Sequence, residues 1–194
     1  MKSRAAVTIS SMIKLSSLLR SSRLLSFFAL CVLTSWLAGC DPALNWREVR
    51  SNDAGYTVLF PAKPSSFDRT VNLDGLQVMM TMTAAEADGV NFAVATAVIE
   101  DETQRAKALI AMQTAMMRNI EGEIVEQKTV AVKGGATAIQ LHATGKAGQA
   151  RVPLALFARF VTHETRVFQV IALGPKEKLG AEIADTFLSS FAFN

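Results

Sequence analysis

The sequence predicts an α+β fold, an antiparallel β-sheet of two β-meanders flanked by helices, and three observations point to it. Apolar residues alternate with period 2 through 56–99 and again through 124–173. Between these runs, and again near the C terminus, the spacing switches to the helical period. Glycine-containing turns separate the strand segments, with no long structureless insert. Antiparallel runs separated by helices bury their apolar faces as a sandwich in which helices cover the sheet.

With 194 residues, half of them hydrophobic, the chain has room for one domain. Its formal charge of +3 is unevenly spread. Lys2, Arg4, Lys14, Arg20 and Arg23 are the only charged residues before position 40. The other 15 basic side chains face 17 acidic ones, so residues 40–194 carry −2, which argues against a nucleic-acid binder.

From Leu24 to Ala38 the chain reads LLSFFALCVLTSWLA, 15 uncharged and largely apolar residues after a basic segment. A helix of that length spans about 22 Å, short of the ~30 Å hydrocarbon core of a bilayer. Basic segment, short apolar segment and small residues, in that order, describe a secretory signal. The basic segment is long for such a signal, and Met12 offers a more ordinary start of translation.

The apolar run ends in Leu37-Ala38-Gly39-Cys40, which resembles the lipobox of bacterial lipoproteins. By that resemblance Leu37, Ala38 and Gly39 are read by the signal peptidase. Cys40 then becomes the mature N terminus, carrying diacylglycerol and an N-acyl chain such as palmitate. The plain alternative is a buried cysteine, but Cys40 stands where the apolar run gives way to Asp41-Pro42. A single acyl chain holds a protein marginally, at about 0.8 kcal/mol per buried CH₂, so two or three chains make the attachment permanent. Asp41 resembles the signal that retains enterobacterial lipoproteins in the inner membrane, and so implies the inner rather than the outer membrane. The expected organisation is a signal peptide over 1–39, a lipidated tether over 40–45 and a domain over 46–194. Cys31 lies in the leader, so no cysteine follows Cys40, and the exported domain can form no disulfide or cysteine metal site.

The elements of the domain follow in order. Trp46–Arg50 is a short strand candidate, and Tyr56–Phe60 is a second that stops at Pro61 and Pro64. Phe67–Asn72 leads into Asp74-Gly75, a hairpin dipeptide. Leu76, Val78, Met80 and Met82 then share one face. Asp88-Gly89 is the next turn, and Val90–Ile99 alternates. Thr103–Glu121 is the expected helix, with Leu109, Met112, Met116 and Ile120 on its stripe. Asp101 with Gln104 forms its capping pair, and Gly122 suits its C-terminal cap. Strands are expected again at Ile124–Val132, Ala136–Ala143, Arg151–Val161 and Arg166–Leu173. Pro153 argues for an edge or a bulge in the third of these. Gly174-Pro175 is expected to open a final helix carrying Leu179, Ile183 and Phe187.

Gly55-Tyr56-Thr57-Val58 running to Phe60-Pro61, with Lys63-Pro64 beyond and Thr186-Phe187-Leu188-Ser189-Ser190-Phe191 at the end, resembles the start and finish of bacterial PsbP-like domains. The resemblance spans about residues 46–194. It implies a PsbP-like sandwich, an antiparallel sheet flanked by helices, in a family that includes small exported lipoproteins. Metal sites of photosystem members need His and acidic ligands, and none carries over to His142 and His163.

No catalytic residue or metal ligand is expected. His142 sits in a strand and His163 in a turn beside Glu164, and no local spacing supplies even two converging zinc ligands. Met79, Met80 and Met82, with Met112, Met116 and Met117, offer soft thioethers that suit Cu(I), yet most share faces with Leu76, Val78 and Leu109, as core residues do. Glu100-Asp101-Glu102 places negative charge at a helix N terminus, where it is favourable without any substrate. The glycines at 134–135 and 145–148 lack a P-loop lysine and read as turns. No G-x-S-x-G elbow appears, which argues against an enzyme and leaves only an unrecognised hydrolase with a triad built from distant residues. The expected function is a non-enzymatic, membrane-anchored binding or accessory domain for an envelope protein or complex. No cofactor beyond the lipid on Cys40 is expected. The alternative is a lipoprotein that takes a small ligand between sheet and helix. The sequence leaves partner and oligomeric state open.

Overall fold

A computed structural model describes residues 44–194. Met12, Leu37, Ala38, Gly39, Cys40 and Asp41, and with them the leader and most of the tether, lie outside the described residues.

The described chain forms β1 (Arg47–Ser51), β2 (Tyr56–Phe60), β3 (Ser65–Leu73), β4 (Leu76–Ala87), β5 (Val90–Val98), α1 (Glu102–Asn119), β6 (Glu123–Val132), β7 (Ala136–Ala147), β8 (Val152–His163), β9 (Arg166–Pro175), α2 (Ala181–Ser190) and β10 (Ala192–Phe193). Strands take 57% of these residues and helices 19%, so the helix-flanked α+β sandwich is corrected to a β-rich fold. Seven antiparallel strands form the main sheet in the order β3-β4-β5-β9-β8-β7-β6, and β1-β2-β10 form a second, three-stranded sheet. Each face of the main sheet receives only one helix, and the small sheet takes over much of the covering that helices were expected to supply.

Both faces of the main sheet are buried over its central strands. Tyr56, Phe60, Phe92, Phe168, Phe187 and Phe191 belong to the core between the main sheet, the small sheet and α2. Met80, Ala97, Met112, Leu141, Leu156 and Phe160 belong to the core under α1. The central strands therefore read as nearly continuous apolar runs, such as Leu154–Phe157 in β8, because successive side chains enter different cores.

Local chemistry places the turns. Asp74-Gly75 and Asp88-Gly89 take positive φ at both residues (55° and 92°, 49° and 75°), the twist that tight hairpins need. Asp101 caps α1 by accepting from the Gln104 backbone N–H at 2.7 Å. At the other end the left-handed residue is Glu121 (φ 46°), one position before the glycine expected there. Gly122 is needed for space instead, since a Cβ on it would stand 2.7 Å from the Ile120 side chain.

Three further expectations are corrected. Gly174-Pro175 opens no helix. It completes β9, opposite Ala155 and Leu154, and α2 starts at Ala181. Pro153 lies in an interior strand, but at its second residue, opposite Lys146. Tyr56–Phe60 leaves the expected meander and pairs with β1 and with Ala192-Phe193.

Candidate functional site

The most developed polar constellation among the described residues lies on the α2 side of β6, β7 and β8. Antiparallel register places Lys128 opposite Gln140, and Gln140 opposite Arg159. One step along, Glu126 stands opposite His142, and His142 opposite Phe157. The two rows are about 7 Å apart and share a face because side chains repeat every second residue. Asp185 and Leu188 of α2 close the third side, leaving a cleft of about 200 Å³.

Arg159 anchors the arrangement. It is 7% exposed in the otherwise apolar stretch Leu154–Val161 of β8. Its Nε donates to Gln140 Oε1 at 2.7 Å and its Nη1 to the Leu188 carbonyl at 2.6 Å. Leu188 lies in the last turn of α2, where its carbonyl otherwise accepts only the C-cap N–H of Phe191 and a cation is favourable. Burial pulls the guanidinium below its usual pKa, and the nearby Asp185 carboxylate works against that shift. A guanidinium remains charged at any ordinary pH. Arg159 is thus a positioning residue that fixes the end of α2 against the sheet.

Beside it, His142 stacks on Phe157 with ring centroids 4.3 Å apart and planes 3° from parallel. Lys128 and Glu126 form an ion pair at 3.0 Å on the solvent side, both about half exposed. The cleft holds carboxylates, an ammonium, an imidazole and an amide, yet its volume is below the roughly 300–1,000 Å³ of small-molecule pockets. A larger groove of about 820 Å³ runs between α1, at Lys107, Ile110 and Arg118, and the β3–β4 turn, at Asn72 and Asp74.

The residues singled out from sequence do not converge. His163 stacks on Phe193 at 4.0 Å, whereas His142 belongs to the cleft. Among the described residues, no group of three or more His, Cys, Asp and Glu side chains is arranged to hold a metal ion. Met80 and Met112 are buried in the core under α1, with Met82, Met116 and Met117 packed against it. Met79, on the opposite face of β4, is 61% exposed. Asp101 serves as the cap of α1, and Arg105 donates to the carbonyls of Ile99 and Glu100. Gly134, Gly135 and Gly148 take positive φ in hairpin turns, whereas Gly145 sits where a Cβ would collide with the Ile120 backbone.

Sequence reasoning missed Arg159, Gln140 and Asp185. The available signal was a lone arginine inside the apolar stretch Leu154–Val161, where a charge demands a partner.

No family model matches this chain. No curated protein is significantly similar to it. Among solved structures, a protein of unknown function from Pseudomonas aeruginosa, PA94, aligns at 11% identity with a TM-score of 0.37, over 70% of this chain and 86% of that one. A likeness at that level carries no argument about function.

Proposed function

We propose that this chain is a lipid-anchored, non-enzymatic binding domain of the bacterial envelope, serving as an accessory to an envelope protein or complex. The observation that carries this reading is the position of Leu37-Ala38-Gly39-Cys40 at the end of an apolar run and just before the folded domain. Asn45 already donates its backbone N–H to the Pro61 carbonyl at 2.7 Å, and Leu44 and Trp46 pack against the core. Five residues of extended chain reach at most about 17 Å, so acylation of Cys40 holds the domain close to the bilayer. The resemblance to PsbP-like lipoproteins supports the same class, and Asp41 favours the inner membrane.

The test is in-cell crosslinking of the membrane-bound protein followed by identification of what is captured. A reproducible envelope partner, lost when Cys40→Ala leaves the chain an unlipidated precursor, is the expected result. Repeated recovery of no specific partner removes the support for an accessory role.

One observation favours the second reading, capture of a small ligand by the same tethered domain. The groove between α1 and the β3–β4 turn has the volume of a ligand site. Ligand-dependent rises in melting temperature, abolished by Ile110→Glu, separate the two readings.

A further inference from the structure

The main sheet ends on one side in β6, ten residues long, with β7 on one flank and no strand on the other among the described residues. All of Glu123–Thr129 is exposed. A long, uncovered edge is a template for pairing with another chain unless something prevents it.

The charges on β6 select a particular mate. Glu126 and Lys128 are two residues apart and therefore on one face, on either side of Gln127. We propose that β6 pairs antiparallel with β6 of a second copy of this chain, about a two-fold axis through Gln127. This symmetry sets each residue opposite the one equally far beyond the axis. Gln127 meets its own copy, Glu126 stands opposite the partner's Lys128, and Lys128 opposite the partner's Glu126. Opposite charges directly across an antiparallel pair are favourable and like charges unfavourable. Moving the axis by one residue either way sets Glu126 against the partner's Glu126, or Lys128 against the partner's Lys128. The pair thus fixes the register as well as the mate.

The other edge lacks this property. On β3 the neighbours Asp68 and Arg69 point to opposite faces, so no two-fold pairing brings them together. Flanking the charged centre of β6, Ile124 and Val125 are 44% and 60% exposed, unusual for large apolar side chains on a free edge. The irregularity between Ile124 and Glu126 confines the regular ladder to the centre of the strand. Glu126 and Lys128 also line the cleft beside α2, so a second copy extends its outer wall.

The test uses the full chain in its membrane, with Gln127→Cys as the reporter. Opposed residues in an antiparallel pair have Cα atoms about 4.5–5.5 Å apart, within the range a disulfide spans. Mild oxidation is expected to give a disulfide-linked homodimer, whereas the unsubstituted chain, and Thr70→Cys on β3, give no disulfide-linked species. Adding Glu126→Lys to Gln127→Cys is expected to lower the dimer yield about ten-fold. Adding Lys128→Glu as well restores opposite charges across the axis, and the yield is expected to recover. Circular dichroism confirms that each variant is folded. The proposal is overturned by absence of the Gln127→Cys dimer, by a yield indifferent to the charge reversals, or by a crosslink to a different protein. Sedimentation of the unsubstituted chain in detergent as a monomer at all concentrations overturns it independently.

Discussion

Arg159 on β8 donates its Nη1 hydrogen to the carbonyl of Leu188 at 2.6 Å, tying the centre of the sheet to the last turn of α2. A buried charge survives because it meets a carbonyl of the last helical turn, which otherwise accepts only the Phe191 N–H at 3.3 Å, with Gln140 satisfying a second N–H. One guanidinium thus links β8 to Gln140 of β7 and to the end of α2.

Replacing that guanidinium is the first test. Arg159→Met leaves Gln140 Oε1 without its donor and removes the charged hydrogen bond to the Leu188 carbonyl, and the expected loss is about 2–3 kcal/mol in urea denaturation. Arg159→Lys, with a point charge in place of a fork, is expected to fall between the two. Unchanged stability in both variants contradicts the positioning role.

Phe187 is fully buried, with ring centroids 5.4 Å from Phe60 and 5.2 Å from Phe92. Phe187→Ala is expected to cost about 3–5 kcal/mol by opening a cavity between α2 and both sheets. Met79→Ala, at a side chain 61% exposed, is expected to change stability by less than about 0.5 kcal/mol. Denaturation midpoints of the two variants compared side by side check the placement of the core.

Gly134 and Gly135 make a second matched pair. Both take φ above 90°, so alanine is strained at either, at a cost of about 1–2 kcal/mol. At Gly134 the added Cβ also meets the Phe193 Cβ at 2.6 Å, whereas at Gly135 it meets open space. Gly134→Ala is therefore expected to be the more destabilising. It is also expected to loosen β10, read as faster amide exchange at Phe193, whose N–H bonds the Lys133 carbonyl.

The chain has one tyrosine, which makes its titration readable by absorbance. Burial raises the Tyr56 pKa above its ordinary 10.0, with the Thr83 and Ser51 hydroxyls pulling the other way. A raised folded-state pKa means that this stabilisation is fully present below pH ~10 and is lost as the pH rises through the folded value. The phenol is expected to ionise only with alkaline unfolding, and Tyr56→Phe to remove its share of the pH dependence. Tyrosinate absorbance that develops near pH 10 in the folded protein contradicts this burial.

Elements set by neighbouring residues were legible in the sequence. Asp74-Gly75 and Asp88-Gly89 announce hairpins because few other residues accept positive φ, and the stripe from Leu109 to Ile120 announces α1 because its partner face lies one turn away. Elements set by distant pairing were not. Tyr56–Phe60 reads as one more strand of a meander, yet its mate Ala192-Phe193 lies at the other end of the chain, and the second sheet depends on that closure. Gly174-Pro175 reads as a helix start because proline suits that position, but cross-strand bonding to β8 holds it extended. The cleft stayed hidden for the same reason. Glu126, Gln140, His142, Phe157 and Asp185 come from four elements, and only the register of three strands beneath α2 brings them together.

The central claim, a domain tethered through Cys40, is tested most directly by the intact mass of the mature protein extracted from membranes. The expected result is a chain beginning at Cys40, heavier by a diacylglyceryl group and an N-acyl chain, with Cys40→Ala accumulating as an unlipidated precursor. A mature protein that begins at another residue, or a Cys40→Ala variant processed as usual, contradicts it.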